Sequence, residues 1–413
     1  MKEQTTSSAT SSRPLWDTLE TFVRGKVQEL VQAVLEEEVT ALLGRAKSVR
    51  RGAVDAGGGS RNGYGRPRQV ALHAGTITVR RPRVRGMDTR FTSQILPLFK
   101  RRTGTVADTL RDLYLHGLAL GDFEQALRGV LGAGAPLSAS SIARLRERWT
   151  ADYEAWRTRA LADEELVYLW ADGLYVKAGL DDAKAALLVI IGVRRDGQKV
   201  ILALESGQRE STQAWLQVLR DLHGRGLRAP RVVVADGHLG LWAALAQIYP
   251  SSDEQRCWNH RIVNVLDQLP HKEQPTGRRL LRDIAYAETR AEAERRRTRF
   301  ARRYEARAPK AVAILCHDWD RLMTFYQYPT AHWHHLRTSN VVESPFAAVR
   351  LRTSAAKRFK KVQNATAMVW KLLLVAEQHF RRLNAPHLLA EVGDGARYAD
   401  GKRVVVNKVE AAA

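Results

Sequence analysis

From residue 166 the apolar residues stop recurring at helical spacing and gather into three runs, LVYLWADGLYVKAG, AALLVIIGV and KVILALES. β-branched and aromatic side chains fill them, and Asp181-Asp182 and Asp196-Gly197 supply turn signals between them. Runs of this kind predict an antiparallel meander. A helix is predicted over about 212–223, then a short strand RVVVAD ending on Asp236. A helix over 239–248, a strand near 254–257 and a helix from 258 follow. The order β-β-β-α-β-α-β-α restricts this part to an α/β fold, with a mixed five-stranded sheet flanked by helices.

That order is the one of the ribonuclease H-like fold. Residues 271–335 break it, being helical, Arg-rich and Trp-bearing, and are predicted to be an all-α insertion. Helical pattern resumes near 343 and again at 362–382. The sheet-forming domain is therefore predicted in two parts, 166–270 and 336–390, with a weakly structured tail over 391–413.

The chain before residue 166 reads differently. Residues 1–14 are polar and rich in Ser and Thr, lack the apolar core of a signal peptide, and predict a disordered start. Leu19, Phe22, Val23, Leu30, Val31, Val34 and Leu35 recur at helical spacing over 15–43, with acids at Glu36, Glu37 and Glu38. Residues 45–102 then hold fifteen Lys or Arg against two acids, Asp55 and Asp88. Glycines at 57–59, 63 and 65 mark a loop, and VALHAGTITVRRPRVRG predicts a hairpin with basic tips at Arg80, Arg81, Arg83 and Arg85. The stretch 15–104 is thus expected to bind DNA or to dimerise. Over 105–160 helical periodicity returns. The Gly-rich turn 131–136 precedes a helix that Ser138 or Ser140 would cap, carrying Arg144, Arg146 and Arg148. Helix, turn and basic helix are the ingredients of a helix-turn-helix, and equally of a structural helical pair.

A formal net charge of +22 calls for a polyanionic partner, because neutralising phosphates releases counterions. Two cysteines, Cys257 and Cys316, make no disulfide framework, and no apolar run approaches a membrane span. The expectation is a cytoplasmic protein, nucleoid-associated when bound to double-stranded DNA.

Three acids stand at informative places. Asp172 interrupts the first apolar run, where a carboxylate is costly without a partner. Asp236 ends VVVAD; its ordinary reading is an Asx turn. Glu343 lies in RTSNVVESPFAAVR, where Asn340-x-x-Glu343 has the form of a capping box, but Pro345 prefers the first helical position and would place Ser344 at the cap. In this order of elements the first strand, the end of the fourth and the last helix are adjacent. Three carboxylates there would suit Mg²⁺ (or Mn²⁺) ions, which prefer oxygen ligands and support phosphoryl transfer.

At this point the sequence resembles the Mutator-like transposases of bacterial insertion sequences. The matching stretches are ADGLYVK, VVVADGHLGLWAAL, QRCWNHRIVNVL and RTSNVVESPFAAVRLRT, with LYLHGLALGDFEQALRGVLGAGAPLSASSIARL upstream; coverage runs from about 15 to 385. The resemblance implies a ribonuclease H-like domain with Asp172, Asp236 and Glu343 as catalytic triad and metal ligands. It also implies element-end DNA as substrate, and strand cleavage and transfer without a covalent protein–DNA intermediate. The family often has a Thr-Thr-Asn run and an Asn-Arg pair around the glutamate. Here the text is Arg337-Thr338-Ser339-Asn340 and Ser344-Pro345-Phe346, which changes the neighbours of Glu343 but no metal ligand.

Cys257 and His260 form a Cys-x-x-His pair. A structural zinc site needs four ligands, and beyond the pair only Cys316, His317, His332, His334 and His335 are at hand nearby. The related transposases carry the pair beside the active site, which assigns it a supporting role. Trp319 and Trp333 are candidates for stacking on an unpaired base, with core packing as the alternative. Arg350, Arg352, Lys357, Arg358, Lys360 and Lys361 follow Glu343 with no acid between them and predict a phosphate-binding face. Two element ends must be handled together while one triad holds one phosphate, so a homodimer is expected, with the helix at 15–43 at its interface.

Overall fold

The computed structural model of the chain describes residues 18–50, 58–118, 122–132, 135, 139–178, 184–207, 210–356 and 359–404. The chain divides into two compact units, Met1–Leu145 and Arg146–Ala413.

In the first unit, helix α1 (Leu19–Leu43) ends at Gly44, whose φ of 62° is the left-handed stop that glycine provides. Strands β1 (Ser60–Tyr64), β2 (Arg68–Leu72), β3 (Gly75–Val79) and β4 (Pro82–Arg85) follow, then α2 (Gly104–Leu115) and α3 (Phe123–Leu131). β2 and β3 form a hairpin and β1 pairs with β4, both antiparallel. The hairpin turns at His73-Ala74, so the predicted basic tip is not found there: Arg80 and Arg81 follow β3, and Arg83 and Arg85 lie on β4. The apolar stripe of α1 packs on the hairpin, burying Leu35 with Val70, Ile77, Val79 and Leu96. Polar contacts fix the register. The Gln32 amide both donates to the Arg80 carbonyl and accepts from its N–H, each at 2.9 Å, and Gln28 accepts from Thr78 N–H at 2.8 Å. The helix thereby satisfies edge groups of β3 that would otherwise invite another strand. Two of the acids at 36–38 are also used: Glu36 pairs with Arg61, and Glu38 accepts from Gln94 and Ile95 N–H.

Helix α4 (Ala139–Arg157) begins seven residues after α3, a connection longer than the three- or four-residue turn of a compact helix-turn-helix. Ser140 lies inside α4, and Ser138 lies outside the described residues.

The second unit is built on β5 (Leu166–Lys177), β6 (Lys184–Arg194), β7 (Lys199–Gly207), α5 (Thr212–Gly224), β8 (Val232–Ala235), α6 (Leu239–Ile248), β9 (Asp253–Arg256) and α7 (Trp258–Leu266). The sheet order is β7-β6-β5-β8-β9; the first three strands are antiparallel, and β8 and β9 run parallel to β5. This is the predicted mixed five-stranded sheet. The predicted Asp181-Asp182 turn lies outside the described residues. One face packs on α5 and α6, where Leu169, Ala171, Leu188, Ile190 and Leu202 meet Trp215, Leu219, Leu222, Trp242 and Leu245. Ser211 caps α5 by accepting from Ala214 N–H.

Helices α8 (Gln274–Ala285), α9 (Arg290–Tyr304), α10 (Pro309–Cys316), α11 (Trp319–Met323) and α12 (Trp333–Leu336) occupy the predicted helical stretch. Then come α13 (Asn340–Glu343), α14 (Phe346–Ala355), α15 (Val362–Glu377), α16 (His387–Gly393), β10 (Tyr398–Ala399) and β11 (Lys402–Arg403). The opposite face of β5 is covered from here: Tyr168 Oη lies 2.8 Å from His332 Nδ1, and the Trp170 indole donates to the His335 carbonyl at 2.9 Å. The described part of the tail, up to residue 404, is more ordered than its sequence suggests. Gly401 N–H donates to Tyr326 O and Asp400 accepts from Arg290 N–H, backbone contacts that no apolar periodicity announces. No helix among the described residues is long and apolar enough to cross a membrane.

Leu219 is 1% exposed at the centre of the α5–sheet contact. Leu219→Ala should cost about 2–5 kcal/mol through lost transfer energy and a residual cavity. Urea unfolding should show a lower midpoint at unchanged slope.

Candidate active site

Side chains alternate along a strand, so Tyr168, Trp170 and Asp172 share the face of β5 opposite α5 and α6. The first two are sealed under the helical region, and Asp172 follows where the cover ends. Its Oδ1 accepts from Gly173 N–H at 2.8 Å. β5 and β8 pair with Trp170 opposite Val234; carried two residues on, that register sets Asp172 level with Asp236. Parallel strands lie about 4.8 Å apart, so the two carboxylates are neighbours.

Asp236 does make the Asx turn expected at a strand end, accepting from His238 N–H at 2.9 Å, and this engages one of its two oxygens. The turn needs Gly237, whose φ is +99° and where a Cβ would lie 2.3 Å from Arg256 Nε. His238 then caps α6, its Nδ1 accepting from Gly240 N–H.

Glu343 closes the single turn of α13, which packs on β5 and β6. No capping box forms: the Glu343 carboxylate accepts from Ser339 Oγ, and Pro345 caps the separate helix α14. The Cys-x-x-His segment braces this turn. Trp258 N–H donates to Arg337 O at 2.9 Å, Ser339 N–H to Cys257 Sγ at 3.3 Å, and Asn259 to Asn340 Oδ1 at 2.9 Å. His260 Nδ1 then lies 3.8 Å from Glu343 Oε1. The ligating atoms of Cys257, His260 and Glu343 fall within 4.8 Å of one another. They are three donors rather than four; Cys316 is exposed and His332 is bound to Tyr168, so neither completes a zinc site.

Burial, with the nearby Glu343 and Asp236 carboxylates, pushes the Asp172 carboxyl up to about 7, against the pull of Gly173 N–H and His260. The Cys257 sulfur, and then Glu343 and Asp236, raise His260 to about 9, so its imidazolium offsets part of the negative charge. Sequence reasoning missed a fourth carboxylate, Glu210. It presses over Gly173, where a Cβ would lie 2.0 Å from Glu210 Oε1. Burial first, then Asp236, raises its carboxyl above the usual range. The available signal was Gly173 itself: a glycine inside a strand marks a close approach.

Other candidates divide. Trp319 and Trp333 are 8% and 5% exposed. Trp319 packs edge-on to Trp258 under Arg297, while Trp333 donates to Tyr328 O and is ringed by Phe325 and Tyr326. Both rings thus pack in the core, which favours the core-packing alternative over base stacking. Arg352 is likewise buried, because it falls on the inner side of α14, while Arg350, Lys360 and Lys361 are exposed. Lys357 and Arg358 lie outside the described residues. Arg80, Arg83, Arg85, Arg144 and Arg148 are exposed and Arg81 half-buried.

Fold and site together define an α/β protein with a partly buried carboxylate cluster at one end of a mixed sheet. The family described as Transposase, Mutator family, matches residues 1–382. The chain is 43% identical over 297 residues to the transposase for insertion sequence element IS6120 of Mycolicibacterium smegmatis, covering 72% of this chain and 92% of that one. It is 37% identical over 280 residues to the transposase for IST2 of Acidithiobacillus ferrooxidans, covering 67% and 95%. Among solved structures it aligns with a Drosophila P element transposase strand transfer complex at a TM-score of 0.29 and 11% identity, covering 68% and 83%, a likeness too distant to argue from. The chain belongs to the Mutator family of transposases.

Because the folded protein holds the Asp172 proton more tightly than the unfolded chain does, the metal-free fold loses stability as pH rises from about 4 to about 7. Asp172→Asn keeps the Gly173 hydrogen bond and removes the charge. In EDTA at pH 8 it should be more stable than the parent by about 2–4 kcal/mol, at about 1.4 kcal/mol per tenfold change in proton affinity. Thermal melts should show this advantage shrinking to nothing near pH 4.

Proposed function

We propose that this transposase acts on an insertion sequence, binding the element ends and cutting and joining DNA at Asp172, Asp236 and Glu343. The observation that carries the reading is the convergence of three carboxylates far apart in sequence, with Asp172 held near neutrality by burial and by the other two. The sheet order, with three antiparallel strands followed by two parallel ones, supports a ribonuclease H-like domain, and α8–α12 support an all-α insertion before the last acid.

The donor set fits a hard divalent cation: carboxylate oxygens crowd together with one imidazolium to offset them. Asp172, Asp236 and Glu343 would hold Mg²⁺ (or Mn²⁺), which when bound supplies Lewis-acid stabilisation of the attacking and leaving oxygens. The chain's own residues do the positioning. Ser339 and His260 orient the Glu343 carboxylate, and Cys257 holds Ser339 in place. The covered face beside Trp170 keeps water from one side of Asp172. Exposed Arg350, Lys360 and Lys361 suit backbone phosphates of the cut strand; Phe359 N–H, bound to Lys177 O at 3.0 Å, keeps the last two near the end of β5. Arg80, Arg81, Arg83 and Arg85 in the first unit suit duplex tracking, as do Arg144 and Arg148 on α4, which spans the boundary between the units. The rival readings are a DNA-binding protein without catalysis and a nuclease that does not join. Labelled element ends incubated with Mg²⁺ separate them by no cutting, cutting alone, or cutting with joined product.

Replacing Asp172, Asp236 or Glu343 by Ala should lower cutting by about a thousandfold or more, in line with losing transition-state charge stabilisation. Gel-shift affinity in EDTA should stay within about twofold. Retained cutting by any one variant removes that residue from the site.

A dimer on DNA is proposed through α1, whose Phe22, Val23 and Leu30 remain 47%, 41% and 64% exposed after the hairpin has covered the rest. Phe22→Glu with Leu30→Glu should shift DNA-bound protein from dimer to monomer in light scattering. An unchanged dimer mass places the interface elsewhere.

A further inference from the structure

A cleft of about 420 Å³ opens beside the Asp236 turn, lined by Gly237, Arg256, Arg261, Asn264, Gln268 and His317 among others. Its two arginines are unusual. Arg261 is only 1% exposed, its Nη1 donates to Ile314 O, and its Nε and Nη2 have no hydrogen-bond acceptor. Arg256 donates to Asp318 Oδ2 at 2.6 Å, and its buried Nε also lacks an acceptor. Both lean on the same carboxylate, with Arg261 Nη2 3.7 Å from Asp318 Oδ2. Asp318 already serves Arg321 at 3.0 Å and His317 at 2.9 Å. Three guanidinium groups thus share Asp318 and Glu254, the second acid pairing with Arg321 alone. The acid on the cleft's lining, Asp267, is exposed at the end of α7.

Buried guanidinium donors without acceptors are costly, and more so when positive charge is in excess. An anion offering several oxygens would relieve both defects. The guanidinium fork binds phosphate oxygens in pairs, and one phosphate can serve two guanidinium groups. The place is equally telling. Arg256 lies over Gly237, the residue after Asp236, and Arg261 follows His260 on α7. The cleft therefore begins one residue from Asp236, on the side where a strand held at the three acids would continue.

We propose that the cleft is a phosphodiester-binding subsite, in which Arg256 and Arg261 grip one backbone phosphate of the DNA strand adjacent to the bond held at Asp172, Asp236 and Glu343. The proposal rests on the transposase reading of that site. It accounts for the orphaned nitrogens, for the glycine at 237, and for an Arg pair buried where a surface pair would serve general attraction.

The test uses the full chain in EDTA, so that binding is measured without chemistry. Element-end duplexes carry a single neutral methylphosphonate, moved one position at a time through the phosphates around the cut. With the native protein, one phosphate within about three nucleotides of the cut should weaken binding about tenfold or more when neutralised, the scale of a hydrogen bond to a charged group. Arg256→Gln and Arg261→Lys should bind the unmodified duplex correspondingly less well and lose sensitivity at that phosphate alone; Arg256→Gln should also lower the salt slope by about one. A native scan with no sensitive phosphate near the cut overturns the subsite, whether or not the variants fold. So does a folded variant that keeps full sensitivity there. Duplex that binds with a sensitive phosphate but is never cut with Mg²⁺ defeats the proposed function instead.

Discussion

The second unit depends on β5 lying between an antiparallel and a parallel neighbour. β6 lies alongside β5 after six intervening residues, and β7 alongside β6. β8 must come alongside in parallel, which requires α5 to cross over and bury Trp215, Leu219 and Leu222 on the sheet. That crossover brings Trp170 opposite Val234, and the same register carried two residues on brings Asp236 level with Asp172. The same apolar packing that aligns the strands therefore forces two like charges together in a half-buried place. The fold tolerates this because Asp172 can keep a proton near neutral pH and because His260 carries a compensating charge.

The third acid is held by polar contacts. Glu343 lies on one helical turn, too short to be stable by itself. Its support comes from the start of α7: the Trp258 amide, the Cys257 sulfur and the Asn259 side chain each bind a group between Arg337 and Asn340. Cys257 is itself anchored by its N–H to Ala235 O at 2.7 Å, one residue before Asp236. The two ends of the acidic cluster are thus joined through a single residue. On the far side of the same loop, the Arg256–Asp318 pair connects the helical region to Gly237. Asp318 holds a left-handed backbone, φ 56°, which turns its carboxylate toward those arginines.

The first unit shows a different use of a basic sequence. Its core is small, and α1 supplements it with side-chain amides that bind the hairpin edge and with acids that hold Arg61 and the loop at 94–95. With Glu36 and Glu38 committed to these structural contacts, Arg80, Arg83 and Arg85 stay exposed.

The sequence by itself determined the strand and helix order of the second unit, because long apolar β-rich runs and capped amphipathic helices are local signals. It also singled out Asp172, Asp236 and Glu343 as candidates, since a carboxylate inside or at the end of such a run is anomalous without reference to anything distant. The stretches around them carried the family. Only the tertiary structure decided which remaining side chains belong to the site. Glu210 stands in a loop with no periodicity, and it enters the cluster because Gly173 leaves room for it. Trp319, Trp333 and Arg352 look available in a basic, helical stretch, yet packing buries all three. The apolar stripe of α1 was legible, but not its partner, for a stripe records that something covers it and not what. Burial and pairing across many residues depend on where distant segments meet, and no local pattern encodes that.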